Sequence, residues 1–194
     1  MAKPADKKKR ILKAARDLFA RYGLRKCSIA DIARAARVGK GTIYLYFASK
    51  EEMFAAVVER EARILFDHIE REIATIDDPA DKLHRYVLSR FDHLQELGNL
   101  LEISREVINE LEPLVEQARG RFISKETNLV ERIIEQGRRS GTFSVTDSRV
   151  VAAVIVLGIK GLEFPMVLQQ FPGFLDRGGI ESMVEVLLNG LRSR

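Results

Sequence analysis

The sequence predicts an all-α protein made of a small basic head and a larger acidic body. Three observations carry that prediction. Apolar residues recur at helical spacing along nearly the whole chain, no segment alternates with the period of a strand, and capping residues or glycine and proline breakers separate the runs. The 194 residues allow one large domain or two small ones, at roughly 100–200 residues per domain. Residues 1–50 hold fourteen Lys/Arg against three acids, Asp6, Asp17 and Asp31, a net of +11. The other eighteen bases face twenty-five acids, a net of −7. The change of charge and the helix breaks put a boundary near residue 48, with 1–48 as the head and 49–194 as the body.

In the head, Ile11, Leu12, Ala15, Leu18, Phe19 and Tyr22 follow helical spacing, and Gly23 stops that helix. Ser28-Ile29-Ala30-Asp31 is an N-terminal capping signature, with Ile29, Ile32, Ala33 and Ala36 on one face. The turn Arg37-Val38-Gly39 leads to a third helix from Lys40 to Phe47.

The body opens at Ser49-Lys50-Glu51-Glu52, a capping box in which the Ser49 hydroxyl takes the Glu52 amide and Glu52 reaches back. It starts a helix through about Ile76, with Phe54, Val58, Leu65, Ile69 and Ile73 as its stripe. Asp78-Pro79 caps the next helix, which Gly98 ends after Leu97. A short helix is expected around Leu100 to Asn109, and Pro113 opens a long one to about Arg139. After the loop Ser140–Ser144, Thr146 or Asp147 caps a helix towards Gln170, with a kink at Pro165. Phe171-Pro172-Gly173 and Gly178-Gly179 are breakers, and Ile180, Val184, Leu187 and Leu191 form the stripe of the last helix.

Composition narrows the function. With 46% hydrophobic and 31% charged residues, the chain is too apolar for intrinsic disorder and too charged for a membrane protein. Its longest apolar run, Val150–Ile159, ends at Lys160 and is about half of what a spanning helix needs. The basic start, Met1 to Arg10, precedes a polar helix and not a signal-peptide core. Cys27 is the only cysteine, so an intrachain disulfide and a cysteine-based zinc site are excluded. The expectation is a soluble, cytoplasmic protein with no membrane partner, no metal and no cofactor. No phosphate-binding glycine loop, metal cluster or nucleophile–base spacing marks it as an enzyme.

The basic head points to a polyanion, and residues 28–47 supply the pattern for one. A helix, a short turn and a second helix within twenty residues is helix-turn-helix spacing. On the second helix Ile43 and Phe47 are the packing face. Gly41 and Leu45 point away from it, Thr42 and Tyr44 flank, and Tyr46 lies nearer the packed side with its hydroxyl able to reach a phosphate. Gly41 permits close backbone approach. Lys40, Thr42, Tyr44, Tyr46 and Lys50 offer donors to phosphates or base edges. Amides at the helix starts at Ser28 and Ser49 can each take a phosphate. Single tyrosines and lysines of this kind are ordinarily packing or solvated residues; their clustering in the +11 segment is what favours nucleic acid. An anionic membrane fits less well, because no helix here pairs a broad apolar face with a basic one.

The run Ser28 to Phe54, and above all Lys40-Gly-Thr-Ile-Tyr-Leu-Tyr-Phe47 followed by Ser49-Lys-Glu-Glu52, closely resembles the DNA-binding segment of tetracycline-repressor (TetR) family regulators. The strong resemblance covers about residues 9–56. It implies a three-helix helix-turn-helix DNA-binding domain over 1–48 and a helical effector-binding and dimerisation domain over 49–194. It implies a homodimer on a palindromic double-stranded operator, released by a small-molecule effector. Phosphate contacts are implied at Ser28, Tyr44, Tyr46 and Lys50, and groove contacts from Lys40, Gly41, Thr42 and Leu45. Two residues depart from the family's pattern. Arg37 stands where glycine is frequent and needs a left-handed conformation or another turn. Gly39 replaces a small hydroxyl residue and removes a capping oxygen.

The body has no motif of that strength. The resemblance places an effector pocket there, and Phe66, His84, Tyr86, Phe91, Met166 and Phe171 are the candidates, although ordinary core packing explains each of them better than ligand contact does. An apolar lining would suit a small hydrophobic or amphipathic molecule. The helix from Ser148, with Ala152, Ala153, Gly158 and Gly161, and the last helix are the candidate dimer surface. The competing function is an architectural DNA-binding protein without an effector, which explains the head but not so large a body.

Overall fold

The computed structural model describes residues 4–101, 105–167 and 176–192. Over these residues the chain forms α1 (Pro4–Lys26), α2 (Ile29–Ala35), α3 (Lys40–Tyr44), α4 (Lys50–Ile73), α5 (Pro79–Leu101), α6 (Arg105–Ser140), α7 (Ser148–Val167) and α8 (Arg177–Leu191). Packing divides it into two compact units. One comprises Met1–Ala62 with Gly98–Gly120, the other Arg63–Leu97 with Arg121–Arg194. Among the described residues no helix is long and apolar enough to cross a membrane.

The first unit is built on α1. Ile11, Leu12, Ala15 and Phe19 are buried at helical spacing, joined in the core by Ile32, Ala33, Ile43, Phe47, Met53, Phe54 and Val57. The Phe19 and Phe54 rings meet edge to face at 5.6 Å, a contact worth about 0.5–1.5 kcal/mol beyond its area. Leu18 is half-buried, and Tyr22 is exposed beside the Arg21 guanidinium at 5.3 Å. Gly23 takes φ +74°, ψ 160° and breaks the regular helix where the sequence places its end. Glu61 occupies a buried position on α4 and is held by Arg16 at 3.2 Å and Arg60 at 3.5 Å. The Ser49 hydroxyl accepts from Glu52 N at 3.0 Å, while Glu52 reaches one residue further back than expected, to Ala48 N at 2.6 Å.

In the second unit α4 buries Leu65, Phe66, Ile69 and Ile73. The helix leaves its regular path after Ile73 through i−3 bonds, Thr75 N to Glu72 O and Ile76 N to Ile73 O. Asp78 caps α5 by accepting from Ala80 N at 2.8 Å and Asp81 N at 2.9 Å. Neither Gly98 nor Pro113 is a boundary: α5 continues to Leu101 and α6 runs unbroken from Arg105 to Ser140. Glycine and proline cost about 1 and 3 kcal/mol in a helix, local penalties that helices of 23 and 36 residues absorb. Asp147, and not Thr146, caps α7 through Arg149 N and Val150 N. Pro165 lies inside α7. Phe171-Pro172-Gly173 lies outside the described residues. Asp176 caps α8 through Gly179 N at 2.9 Å, and the buried row of that helix is Ile180, Val184 and Leu188.

A polar cluster sits in this core. Glu126 and Arg90 are buried and pair at 2.8 Å, and Lys160 approaches Glu126 at 3.8 Å. The buried Tyr86 hydroxyl donates to Glu126 at 3.3 Å. Burial and then the Glu126 carboxylate push the Tyr86 phenol far up, so it remains a donor.

Two local features of this unit have measurable consequences. Gly137 is buried beneath Phe143, whose ring atoms a Cβ at Gly137 would overlap. Gly137→Ala is therefore expected to destabilise by about 1–3 kcal/mol, with part recovered in Gly137→Ala/Phe143→Leu; urea unfolding of the single and double variants checks it. At the end of α6, hydrogen bonds from Arg138, Arg139 and Ser148 hold the Glu135 carboxyl down at about 2. A depressed carboxylate stabilises above its unfolded pKa and loses that contribution as pH falls through the folded value. Glu135→Gln should be less stable than the parent at neutral pH. The two urea midpoints should converge as pH falls from about 4.5 towards 2.

Candidate nucleic-acid interface

A seven-residue helix cannot hold itself, because isolated helices shorter than about 12 residues are marginal in water. Both ends of α2 are therefore tied. At the start, Ser28 Oγ accepts from Asp31 N at 3.2 Å while Asp31 accepts from Ser28 N at 3.3 Å, and the Ser28 hydroxyl also donates to Asp31. These bonds from Ser28 hold the Asp31 carboxyl below its ordinary range. At the end, Arg37 N donates to Arg34 O at 3.1 Å and Val38 N to Ala33 O at 3.0 Å. Arg37 takes φ +53°, the left-handed alternative raised by its sequence. Gly39 then precedes α3 as an N-cap without a side-chain bond.

The burial of α3 follows its helical faces. Ile43 and Phe47 are buried, Thr42 and Tyr46 are half-buried, and Lys40 and Gly41 are exposed. Tyr44 is 57% and Leu45 82% exposed. Regular helix ends at Tyr44, three residues short of the expected Phe47, with Leu45 as its C-cap. Lys8 stands 5.5 Å over the Phe47 ring. Lys50 is engaged within the protein. Its ammonium donates to Cys27 O at 3.2 Å and Arg25 O at 3.5 Å, and so ties the start of α4 to the chain between α1 and α2. Sequence spacing could not foresee that use, which joins residues more than twenty positions apart. Cys27 beside it is buried, and burial pushes its thiol up.

Ser28, Lys40, Gly41, Thr42, Tyr44, Leu45, Tyr46 and Lys50 all belong to the first unit. The candidates in the body are divided. Phe66, Tyr86 and Phe91 are buried in the core and His84 is half-buried. Met166 belongs to α7 but its side chain, like Phe171 as a whole, lies outside the described residues. Two grooves in the second unit are lined by other side chains. One of about 280 Å³ lies among Ile73, Lys82, Leu129 and Ile133, and an open one of about 860 Å³ runs along Asn128 to Ser140. Tyr86 meets Glu126, Arg90 and Lys160 in a cluster that the sequence reading missed. The available signal was an acid, Glu126, set four residues from Phe122 and Val130 in a buried stripe.

A basic head with a two-helix motif and an exposed row of Lys40, Gly41, Tyr44 and Leu45 on its second helix defines a helix-turn-helix DNA-binding transcriptional regulator. Residues 11–57 match the family described as "Bacterial regulatory proteins, tetR family". The chain is 27% identical over 185 residues to the HTH-type transcriptional regulator YhgD of Bacillus subtilis (strain 168), covering 93% of this chain and 94% of that protein. The crystal structure of a transcriptional regulator from Cytophaga hutchinsonii ATCC 33406 superposes with a TM-score of 0.78 at 27% identity, over 94% of this chain and 97% of that one. The fatty acid degradation regulator FadR from Bacillus halodurans gives a TM-score of 0.67 at 25% identity over 97% of each chain. Residues 11–57 thus carry the DNA-binding segment of the TetR family, and over its whole length the chain is similar to HTH-type transcriptional regulators.

The Lys50 tie can be tested apart from DNA. Lys50→Met removes both carbonyl bonds and should lower stability by about 1–3 kcal/mol, read from urea unfolding of the free protein. Equal stability of the variant and the parent would return Lys50 to the solvent.

Proposed function

We propose that the protein is a cytoplasmic, ligand-responsive repressor that binds a palindromic operator as a homodimer and leaves it when a small hydrophobic or amphipathic effector binds. The observation that carries the DNA half is the exposed row Lys40, Gly41, Tyr44 and Leu45 on α3, in a stretch without an acid between Asp31 and Glu51. Lys40, Gly41, Thr42 and Leu45 enter the major groove. Ser28, Tyr44, Tyr46 and Lys50 meet phosphates, Ser28 by turning its hydroxyl proton from Asp31 to the phosphate and Lys50 with the one N–H that its two carbonyl bonds leave over. Residues 1–48 are the DNA-binding domain and 49–194 the effector-binding and dimerisation domain. α4 is a single helix of 24 residues that starts beside the DNA face and reaches the body, so it is the element through which a ligand acts.

Dimerisation falls to α7 and α8. Val150, Val154 and Leu157 are 57%, 66% and 57% exposed, in one row with the exposed Gly158 and Gly161, and Val186 of α8 is 74% exposed. An apolar row of that kind gains by covering itself with a second copy. The effector occupies the apolar interior near Phe66, His84, Tyr86 and Phe91. The likeness to a regulator of fatty acid degradation supports a ligand with an apolar chain.

Operator selection from a random-sequence duplex pool, with the complex mass measured by light scattering, tests this reading. A two-fold sequence bound by two chains is expected, with half-sites about 34–36 Å apart or a small multiple of a helical turn. Lys40→Ala and Thr42→Ala should reorder the preferred sequences. Val154→Lys should give monomers and lose operator affinity while remaining folded. Equal affinity for every duplex would favour the architectural alternative, and full affinity in a monomer would sink the dimer.

A further inference from the structure

The turn between α2 and α3 holds a backbone conformation that its side chain disfavours. Arg37, at φ +53°, is the one non-glycine residue in the left-handed region among the described residues. The bonds Arg37 N to Arg34 O and Val38 N to Ala33 O impose it, as the closing pair of a Schellman turn. Glycine fits that position freely, whereas any other residue crowds its Cβ against the backbone. Nothing within the described protein accounts for an arginine there. The residue is exposed, and its guanidinium makes no hydrogen bond or ion pair to a described residue. Asp31, the nearest acid before it in the chain, is engaged by Ser28 and by Arg34 at 3.7 Å.

Backbone strain that gains nothing inside a protein is characteristic of residues that work on a partner. We propose that Arg37 contacts a phosphate of the bound duplex, beside the contacts made by α3. The inference rests on α3 being the DNA face. The turn runs directly into that helix, with Arg37 three residues before the exposed Lys40, and no acid lies between residues 32 and 50 to compete for either cation. A guanidinium offers two parallel N–H donors to a phosphate. The contact fixes how the head sits on the duplex and carries no base preference.

The test uses the full chain and a mixed-sequence duplex several helical turns long, with affinity followed by fluorescence anisotropy from about 50 to 200 mM salt. Arg37→Gly should raise Tm by about 2–4 °C. The same variant should make the slope of log K against log salt shallower by about 0.9 for each bound head. Arg37→Asn, which tolerates the left-handed region, should lose the same slope, and Arg37→Lys should keep it. A gain in stability together with a loss of DNA affinity is what a merely structural arginine would not produce. Unchanged affinity and slope in Arg37→Gly and Arg37→Asn, with Lys40→Ala weakened, would overturn the Arg37 contact and leave the α3 reading standing. If Lys40→Ala were silent as well, both would fall. A lowered Tm in Arg37→Gly with an unchanged slope would also overturn it, and would assign the cation to the carbonyl end of α2.

Discussion

The backbone hydrogen bonds at the two ends of α2 are the constraint on which the DNA-binding head depends. The Ser28–Asp31 box fixes where the helix begins, and the bond from Val38 N to Ala33 O fixes where the chain turns away. With both ends set, the direction of α3 follows. Ile43 and Phe47 then reach the core, and the opposite side of the same short helix must face outward. Gly39 can therefore stand as an N-cap without a hydroxyl, because the turn before it already aims the helix. The position that bears the cost is Arg37.

Lys50 extends the same constraint to α4. Its ammonium rests on the carbonyls of Arg25 and Cys27, so the start of α4, the end of α1 and the approach to Ser28 are held at one point. A cation on carbonyl oxygens replaces the water those groups would otherwise bind. The residue that closes the corner of the head thus also leaves a positive charge beside the amides of α2.

Burial of charge recurs in both units and is handled alike. Glu61 and Glu126 each occupy a helix position that the surrounding apolar spacing would assign to the core, and each is met by two cations. Desolvating a carboxylate costs several kcal/mol unless close partners offset it, and the Arg90 contact at 2.8 Å with the Tyr86 hydroxyl provides such partners for Glu126. Such groups also restrict how the helices can pack, since a shift of one turn would leave the charge without them.

Much of this protein was legible in one dimension. The capping signatures at Ser28, Asp78 and Asp147, the stop at Gly23 and the burial pattern of α3 follow from local hydrogen bonding and helical period, which act between residues a few positions apart. The run from Lys40 to Glu52 was enough to name the family. Tertiary structure decided what local rules could not. It buried Val57 in place of Val58 and Leu188 in place of Leu187, because neighbouring helices select which edge of a broad apolar stripe is covered. It carried α5 through Gly98 and α6 through Pro113, where propensity alone argued for ends. It brought Glu126, Arg90, Tyr86 and Lys160 together from three helices, and Lys50 to two carbonyls of another segment, since charges distant in sequence choose partners only once the chain has packed.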